Sequence, residues 1–195
     1  CPYSAEKARI VIREMADALA LELVEKGLAT DQLTLTVGYD IENIQDPERL
    51  SRYQGEIKKD RYGRFVPKHS HGTENIGKYT SSTRKIQDAA DALFHRIVDP
   101  GLLIRRLNIT ANHVMSEREV PEADACEQMD LFVDYEIMQE EKRREEAEQV
   151  REKKIQSTVL DIKRKFGKNA ILKGTALEDG ATSRERNQKI GGHQA

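Results

Sequence analysis

The sequence predicts an α+β domain followed by a highly charged C-terminal region. Two segments place apolar residues at the spacing of amphipathic helices, and others alternate apolar and polar residues as half-buried strands do. These segments follow one another as helix, strand, strand, helix, strand. With one further strand before Cys1, largely truncated, the order becomes β-α-β-β-α-β, in which two helices cover one face of an antiparallel sheet.

The first half of this domain contributes one helix and two strands. The helix is predicted from Ser4 to Lys26, with Ser4 as its N-cap and Gly27 just past its end. Alternation from Leu33 to Tyr39 predicts a strand with one buried face. A second, less regular strand is predicted from Phe65 to Ile76, in a stretch rich in Lys, His and Ser.

The second half contributes another helix and the last strand. Hydroxyl side chains from Thr80 to Thr83 offer N-caps for a helix with apolar positions from Ile86 to Ile97, and Pro100-Gly101 ends it. Alternation from Leu103 to Asn112 predicts a strand with polar residues on its open side. We therefore place the folded domain at residues 1–115.

Composition divides the rest of the chain into three segments. We predict an acidic linker at residues 116–135, a long and mostly solvated helix at 136–167, and a flexible basic tail at 168–195. Of the 195 residues, 34% are charged and 37% are hydrophobic, which suits one domain with an extended appendage.

Charge alternates along the chain, although the net charge is only −2. Residues 52–85 carry nine Lys or Arg against three Asp or Glu, residues 116–140 carry one against nine, and residues 141–195 carry fourteen against nine. Basic zones rich in Ser, Thr and Tyr suit phosphate contacts, whereas an acidic zone repels DNA and suits a spacer or a protein-binding segment. A solvated surface is the plainer interpretation of each zone.

Several classes of protein are disfavoured by the sequence. No apolar run approaches the length of a membrane span, the first residues do not resemble a signal peptide, and two cysteines are too few for a disulfide framework. We therefore expect a cytoplasmic location and no membrane partner. His69, His71 and His113 lack a Cys or carboxylate at supportive spacing, so no metal site is predicted.

The open face of the predicted sheet is polar and uncharged to basic. The outer positions of two strands are Thr34, Thr36, Arg106, Asn108 and Thr110. The middle strand would add members of the set Lys68, His69, Ser70, His71 and Thr73, in a parity that the sequence leaves open. Hydroxyl, amide and guanidinium donors reach phosphate oxygens, as do N–H groups where a helix begins, here at Ser81 to Thr83. An ordinary solvated sheet face is the alternative.

The acidic linker contains a short motif, Gln128-Met129-Asp130-Leu131-Phe132. Local packing alone cannot bury Leu131 and Phe132, so both side chains could enter a preformed groove while the Gln128 amide fixes the register. The pattern resembles the sliding-clamp-binding motif Q-x-x-L-F of bacterial DNA polymerases and repair proteins. The alternative is that its apolar residues simply start the following helix.

Nearly the whole chain resembles one protein family. The likeness lies in Glu6 to Glu42, Val66 to Lys68, His71 to Thr73, Gly77 to Thr83, Ile97 to Asp99, Leu103 to Ile109, Phe166 to Gly174, Arg184 to Asn187 and Ile190 to His193. These stretches resemble the little-finger domain and C-terminal tail of Y-family translesion DNA polymerases. The UmuC/ImpB/MucB/SamB-type branch found in Firmicutes is the most similar.

The resemblance implies the DNA-binding and clamp-tethering region of an error-prone polymerase that acts at the nucleoid in DNA repair and the SOS response. Its partners would be primer-template DNA and the bacterial β sliding clamp. The residues expected to bind DNA are Thr34, Thr36, Lys68, His69, Ser70, His71, Thr73, Lys78, Tyr79, Ser81, Ser82, Thr83, Arg105, Arg106, Asn108 and Thr110. Those expected to bind the clamp are Gln128, Met129, Asp130, Leu131 and Phe132.

The resemblance also bears on catalysis. The family's nucleotidyl transfer uses Mg²⁺ held by carboxylates of a palm domain, and no acidic pair of this chain matches that motif. We therefore expect no catalytic residue and no cofactor in this fragment, which should be inactive alone although its parent is an enzyme. The alternative function is a free-standing, non-enzymatic protein-interaction module.

The first strand of the topology leads to one more expectation. In its usual position that strand is central to the sheet, and only Cys1 to Tyr3 of it could remain. Unpaired ladder groups beside an empty position invite pairing with another strand. We therefore expect another segment in that position, or a strand-exchanged homodimer.

Overall fold

In the computed structural model, residues 2–120, 135–190 and 193–194 are described. The elements, in chain order, are α1 (Ala5–Lys26), β1 (Leu28–Tyr39), α2 (Glu42–Gln45), α3 (Pro47–Arg52), β2 (Ile57–Lys59), β3 (Phe65–Pro67), β4 (Ser70–Thr80), α4 (Thr83–Ile97), β5 (Ile104–Asn112), β6 (Met115–Ser116), α5 (Tyr135–Phe166), a 3-10 turn (Gly174–Leu177), α6 (Ser183–Arg186), β7 (Lys189–Ile190) and β8 (His193–Gln194). The predicted α+β class is confirmed.

An antiparallel sheet with β1 at its centre forms one layer of the domain. β4 and β5 pair with β1 on either side, and the short β6 pairs with the first residues of β1. Helices α1 and α4 pack on one face of this sheet. The core between the two layers includes the fully buried side chains of Ile12, Leu33, Leu35, Ile86 and Leu93.

Local signals explain where α1 begins and ends. The Ser4 hydroxyl oxygen accepts a hydrogen bond from the Lys7 N–H at 3.4 Å, which caps the first turn. Gly27 adopts a left-handed conformation (φ 65°) that favours glycine, and its N–H bonds to carbonyls of the last turn. The predicted helix is confirmed at both ends.

The segment predicted as one strand from Phe65 to Ile76 is two strands, and that prediction is wrong. β3 ends at Pro67, which has no N–H to donate, and β4 begins at Ser70 and continues to Thr80. β3 pairs with β2 in a hairpin that the sequence pattern did not predict.

The expected central position of the first strand is also wrong. Tyr3 exchanges two backbone hydrogen bonds of 2.8 Å with Ile104, on the side of β5 that faces away from β1. β1 is the central strand, because β4 pairs with one of its edges and β5 with the other. The strand-exchanged homodimer stays a prediction, but an empty central position no longer supports it.

The C-terminal region lies against the helical layer. The long helix is present as α5, and Gln156 from its interior is buried beside the start of α4. Part of the following tail contacts α1, since Lys173 Nζ lies 2.6 Å from Asp17 Oδ1. The flexibility predicted for residues 168–195 stays a prediction. The motif from Gln128 to Phe132 lies outside the described residues.

Candidate functional site

The sheet face opposite α1 and α4 gathers polar side chains from three strands. This open face consists of Gln32, Thr34, Thr36 and Gly38 of β1, His71, Thr73 and Asn75 of β4, and Arg106, Asn108, Thr110 and Asn112 of β5. Because β1 pairs in register with both neighbours, these residues form rows that cross the sheet. Thr73, Thr34 and Thr110 make up one row, and His71, Thr36 and Asn108 make up the next.

Hydrogen bonds connect the side chains of the open face. Gln32 Nε2 donates to Asn75 Oδ1 at 2.7 Å, and Asn112 Nδ2 donates to Gln32 Oε1 at 3.0 Å and to Thr34 Oγ1 at 2.7 Å. Amide and hydroxyl groups each have more than one hydrogen-bonding position, so these contacts orient the side chains and leave positions for a ligand. Farther along β1, Thr36 Oγ1 lies 2.9 Å from Nδ1 of His71, its β4 neighbour in the same row.

One end of the open face is basic. Arg106 lies opposite Gly38, where an added Cβ would come within 3.3 Å of the Arg106 Cβ atom, so glycine gives this arginine room. The pairing of β1 with β5 shifts at this point, and the extra residue is Arg105. Arg105 Nε lies 3.8 Å from the carboxylate of the buried Asp40. Two consecutive arginines therefore mark this end of the sheet.

The chemistry available on the open face is anion binding. None of its residues carries a carboxylate, and its donors are hydroxyl, amide, imidazole and guanidinium groups. Within the described ranges, no group of three or more His, Cys, Asp or Glu side chains could hold a metal ion.

The structure settles the parity of the middle strand. His71 and Thr73 lie on the open face. Ser70 lies on the other side, where its hydroxyl oxygen is 2.7 Å from the hydroxyl of Tyr39. Lys68 and His69 precede β4 and are exposed.

Two more predicted residues lie at the far end of β4. Lys78 is exposed and Tyr79 is half-buried, in the irregular stretch that follows Gly77. Gly77 has a φ of 92°, and the regular pairing of β4 with β1 is interrupted there. These two residues therefore lie apart from the rows of the open face.

The start of α4 was predicted to present donors to a phosphate, but α5 already occupies them. Ser82 Oγ donates to Glu152 Oε2 at 2.6 Å, and the Arg84 N–H donates to Glu152 Oε1 at 3.0 Å. The Glu152 carboxylate therefore takes the position at which a phosphate would contact the helix N-terminus.

The neighbouring hydroxyl groups are engaged as well. Thr83 Oγ1 accepts from Gln156 Nε2 at 2.8 Å, and Ser81 Oγ donates to Glu117 Oε1 at 2.6 Å. Burial raises the pKa of the Glu117 carboxyl, but hydrogen bonds from Lys153 and Ser81 outweigh it and leave that pKa below its usual value. The open face, and not this helix end, is the free polar surface.

Four members of the open face were not among the predicted site residues: Gln32, Gly38, Asn75 and Asn112. Gln32 continues the alternation of its strand by one more step, and Gly38 and Asn112 lie on the open side of the predicted strands, so the sequence pattern could have indicated all three. Asn75 could not be assigned, because the second strand had no settled parity.

These features define a two-layer α+β domain whose open sheet face offers neutral and cationic donors. Residues 2–131 match the family model described as the impB/mucB/samB family C-terminal domain. The chain belongs to this family and is a region of a UmuC-type translesion DNA polymerase of the Y family, which confirms the predicted family over the matched residues. The likeness of the C-terminal tail and the Firmicutes branch stay predictions. No curated protein matches the chain. In the parts of the chain that the structure describes, no helix is long and apolar enough to span a membrane.

Proposed function

We propose that the open face holds primer-template DNA for a translesion polymerase, and that the linker from Gln128 to Phe132 ties the polymerase to the sliding clamp. The observation that carries the first part is the composition of the open face. Rows of neutral donors border Arg106, and no residue of the open face carries a carboxylate that would repel phosphate.

The proposed contact is with the DNA backbone. Hydroxyl and amide groups donate to phosphate oxygens whatever the base sequence, and arginine adds charge attraction. A polymerase that copies damaged templates gains from a grip of this kind, because a grip that does not read bases tolerates an altered base. The acidic linker would stay off the DNA, because like charges repel.

The test is binding to fluorescein-labelled primer-template duplex, followed by anisotropy at several salt concentrations. The log of the association constant should fall linearly with the log of salt, and the Arg106→Ala/Asn108→Ala variant should bind roughly tenfold more weakly with a shallower slope. Arg13→Ala is the matched control, because Arg13 is exposed on the helical layer. Equal affinity of the wild type and the double variant would contradict the proposed face.

The clamp contact is tested separately. Leu131→Ala/Phe132→Ala should abolish binding to purified β sliding clamp in surface plasmon resonance, because the two apolar anchors would enter the clamp's groove. Val120→Ala changes an apolar residue of the linker outside the five-residue motif, so this variant should bind the clamp normally. Retained clamp affinity in the double variant would rule out this motif.

A further inference from the structure

A basic hairpin with exposed aromatic side chains projects from the sheet. The hairpin consists of β2, β3 and the connecting loop 60–64. Tyr62 at its tip is 64% exposed and Phe65 is 56% exposed, so neither belongs to the core. The basic residues of the hairpin are Lys58, Lys59, Arg61 and Arg64. Exposed aromatic rings next to basic side chains suit the binding of a partner molecule.

The tip of the hairpin is held in a defined conformation. Asp60 Oδ1 accepts hydrogen bonds from the N–H groups of Tyr62 at 2.8 Å and Arg64 at 3.0 Å, while Oδ2 accepts two from the Arg64 guanidinium. Gly63 takes a left-handed conformation with a φ of 78°. A loop ordered in this way presents its side chains at a lower entropic cost of binding.

Cations lie close to both exposed rings. The guanidinium carbons of Arg61 and Arg64 are 4.7 and 5.2 Å from the centre of the Tyr62 ring, and Lys59 Nζ is 5.1 Å from that of Phe65. Such contacts are weak when exposed to water, so an incoming planar group can replace them. Lys59 and Arg61 would remain near that group and could contact phosphates attached to it, whereas the Arg64 guanidinium stays bound to Asp60.

The hairpin adjoins the basic end of the open face. Pro67 at the end of β3 is buried, and β3 contacts β1. β4 starts at Ser70, which pairs with Val37, one residue before the Gly38 that faces Arg106. A strand of DNA that leaves the open face at this end would therefore meet the hairpin.

We propose that the hairpin binds an unpaired DNA strand next to the duplex, with bases stacked on Tyr62 and Phe65 and phosphates held by the neighbouring lysines and arginines. Bases within a duplex are already stacked on one another, whereas unpaired bases can stack on aromatic side chains. The inference rests on the proposed function, since the open face would bring the junction of duplex and unpaired strand to the hairpin.

The test compares a blunt duplex with the same duplex carrying a single-stranded overhang that contains 2-aminopurine. The wild type should bind the overhang DNA about tenfold more tightly and quench the 2-aminopurine fluorescence. Tyr62→Leu and Phe65→Leu should lose this gain and the quenching, whereas Tyr62→Phe should retain both because it keeps the ring. Phe166→Ala is the matched control, because Phe166 is also exposed, at 66%, with Lys165 Nζ 5.2 Å from its ring centre.

The outcomes separate this inference from the proposed function. No gain for the overhang in the wild type, or an equal gain in Tyr62→Leu, would overturn the inference while duplex binding persists. Failure to bind either DNA would overturn the proposed function itself. Because Phe65 belongs to a strand, circular dichroism must show that Phe65→Leu keeps an intact fold. If Phe65→Leu is misfolded, Tyr62→Leu at the loop tip alone tests whether the hairpin binds the unpaired strand.

Discussion

Glu14 is a carboxylate on the buried side of α1, and the C-terminal tail explains it. Its side chain is only 4% exposed, and Oε2 accepts from the Thr182 N–H at 2.9 Å and lies 3.3 Å from Arg186 Nη2. Burial lowers the pKa of the Arg186 guanidinium, and the nearby Glu14 acts in the opposite direction. A partly buried ion pair thus joins residues that are far apart in the chain.

Glu14→Ala should release the tail from α1. Removing one partner leaves the other with its charge partly buried, which costs roughly 2 kcal/mol of docking free energy here. Limited proteolysis should then cut residues 168–190 faster than in the wild type, as followed by mass spectrometry. Glu6→Ala, an exposed change on the same helix, should leave the cleavage rate unchanged. Equal protection of the tail in Glu14→Ala would contradict this role.

Helix α5 contacts the start of α4 through charged side chains. Glu145 Oε1 lies 2.6 Å from Lys85 Nζ, and Glu148 Oε2 lies 3.1 Å from Arg84 Nη1. Together with Glu152 they place three carboxylates near the first turn of α4, where the helix dipole is positive. These charged contacts help to hold α5 on the domain, because its sequence is too polar for an apolar face alone to do so.

Helices α1 and α4 are joined by the pair of Arg9 and Asp91. Arg9 Nε donates to Asp91 Oδ1 at 2.6 Å and Nη2 donates to Oδ2, a two-pronged contact on a carboxylate that is 21% exposed. The hydrogen bond from Arg9 lowers the pKa of the Asp91 carboxyl below its ordinary value. Folding therefore favours the ionised form of this group.

This pKa shift predicts a loss of stability in acid. A carboxyl with a lowered pKa in the folded state stabilises the protein above its unfolded pKa of about 3.9, and that contribution is lost as pH falls through the folded pKa. Asp91→Asn should lower the free energy of unfolding by about 1 kcal/mol at pH 7, with the gap to the wild type closing toward pH 2. Urea titrations measure both values.

The control for that prediction is Asp88→Asn, which changes an exposed carboxylate of the same helix. It should keep the wild-type dependence of stability on pH. A gap between Asp91→Asn and the wild type that stays constant from pH 7 to pH 2 would count against the Arg9 contact.

At the scale of the whole molecule, the parts of the fold predicted correctly are those with strong local signals. α1 has a capping residue at each end. The alternation from Leu33 to Tyr39 reflects a strand with one face against the core and the other face toward solvent. β1 is longer than predicted because β6 pairs with Leu28 and Ala29, a contact between residues distant in the chain. Local patterns carry no signal for such a pairing.

Local sequence patterns also failed to predict two features of the candidate site: the β2–β3 hairpin, and the binding of Glu152 at the start of α4. The break between β3 and β4 falls at Lys68-His69, two residues without a turn signature, so the alternating pattern appeared to continue. Glu152 lies about seventy residues beyond Ser82 and is one of many glutamates in its helix. Only the packing of α5 distinguishes it from its neighbours.

The central place of β1 sets the length of DNA that the open face could cover. Its rows recur every second residue, about 6.8 Å apart, so the four rows from Gln32 to Gly38 span about 20 Å. B-DNA rises about 3.4 Å per base pair, which gives a footprint of about six base pairs along the strand direction. The proposed DNA contact would therefore cover little more than half a turn of duplex.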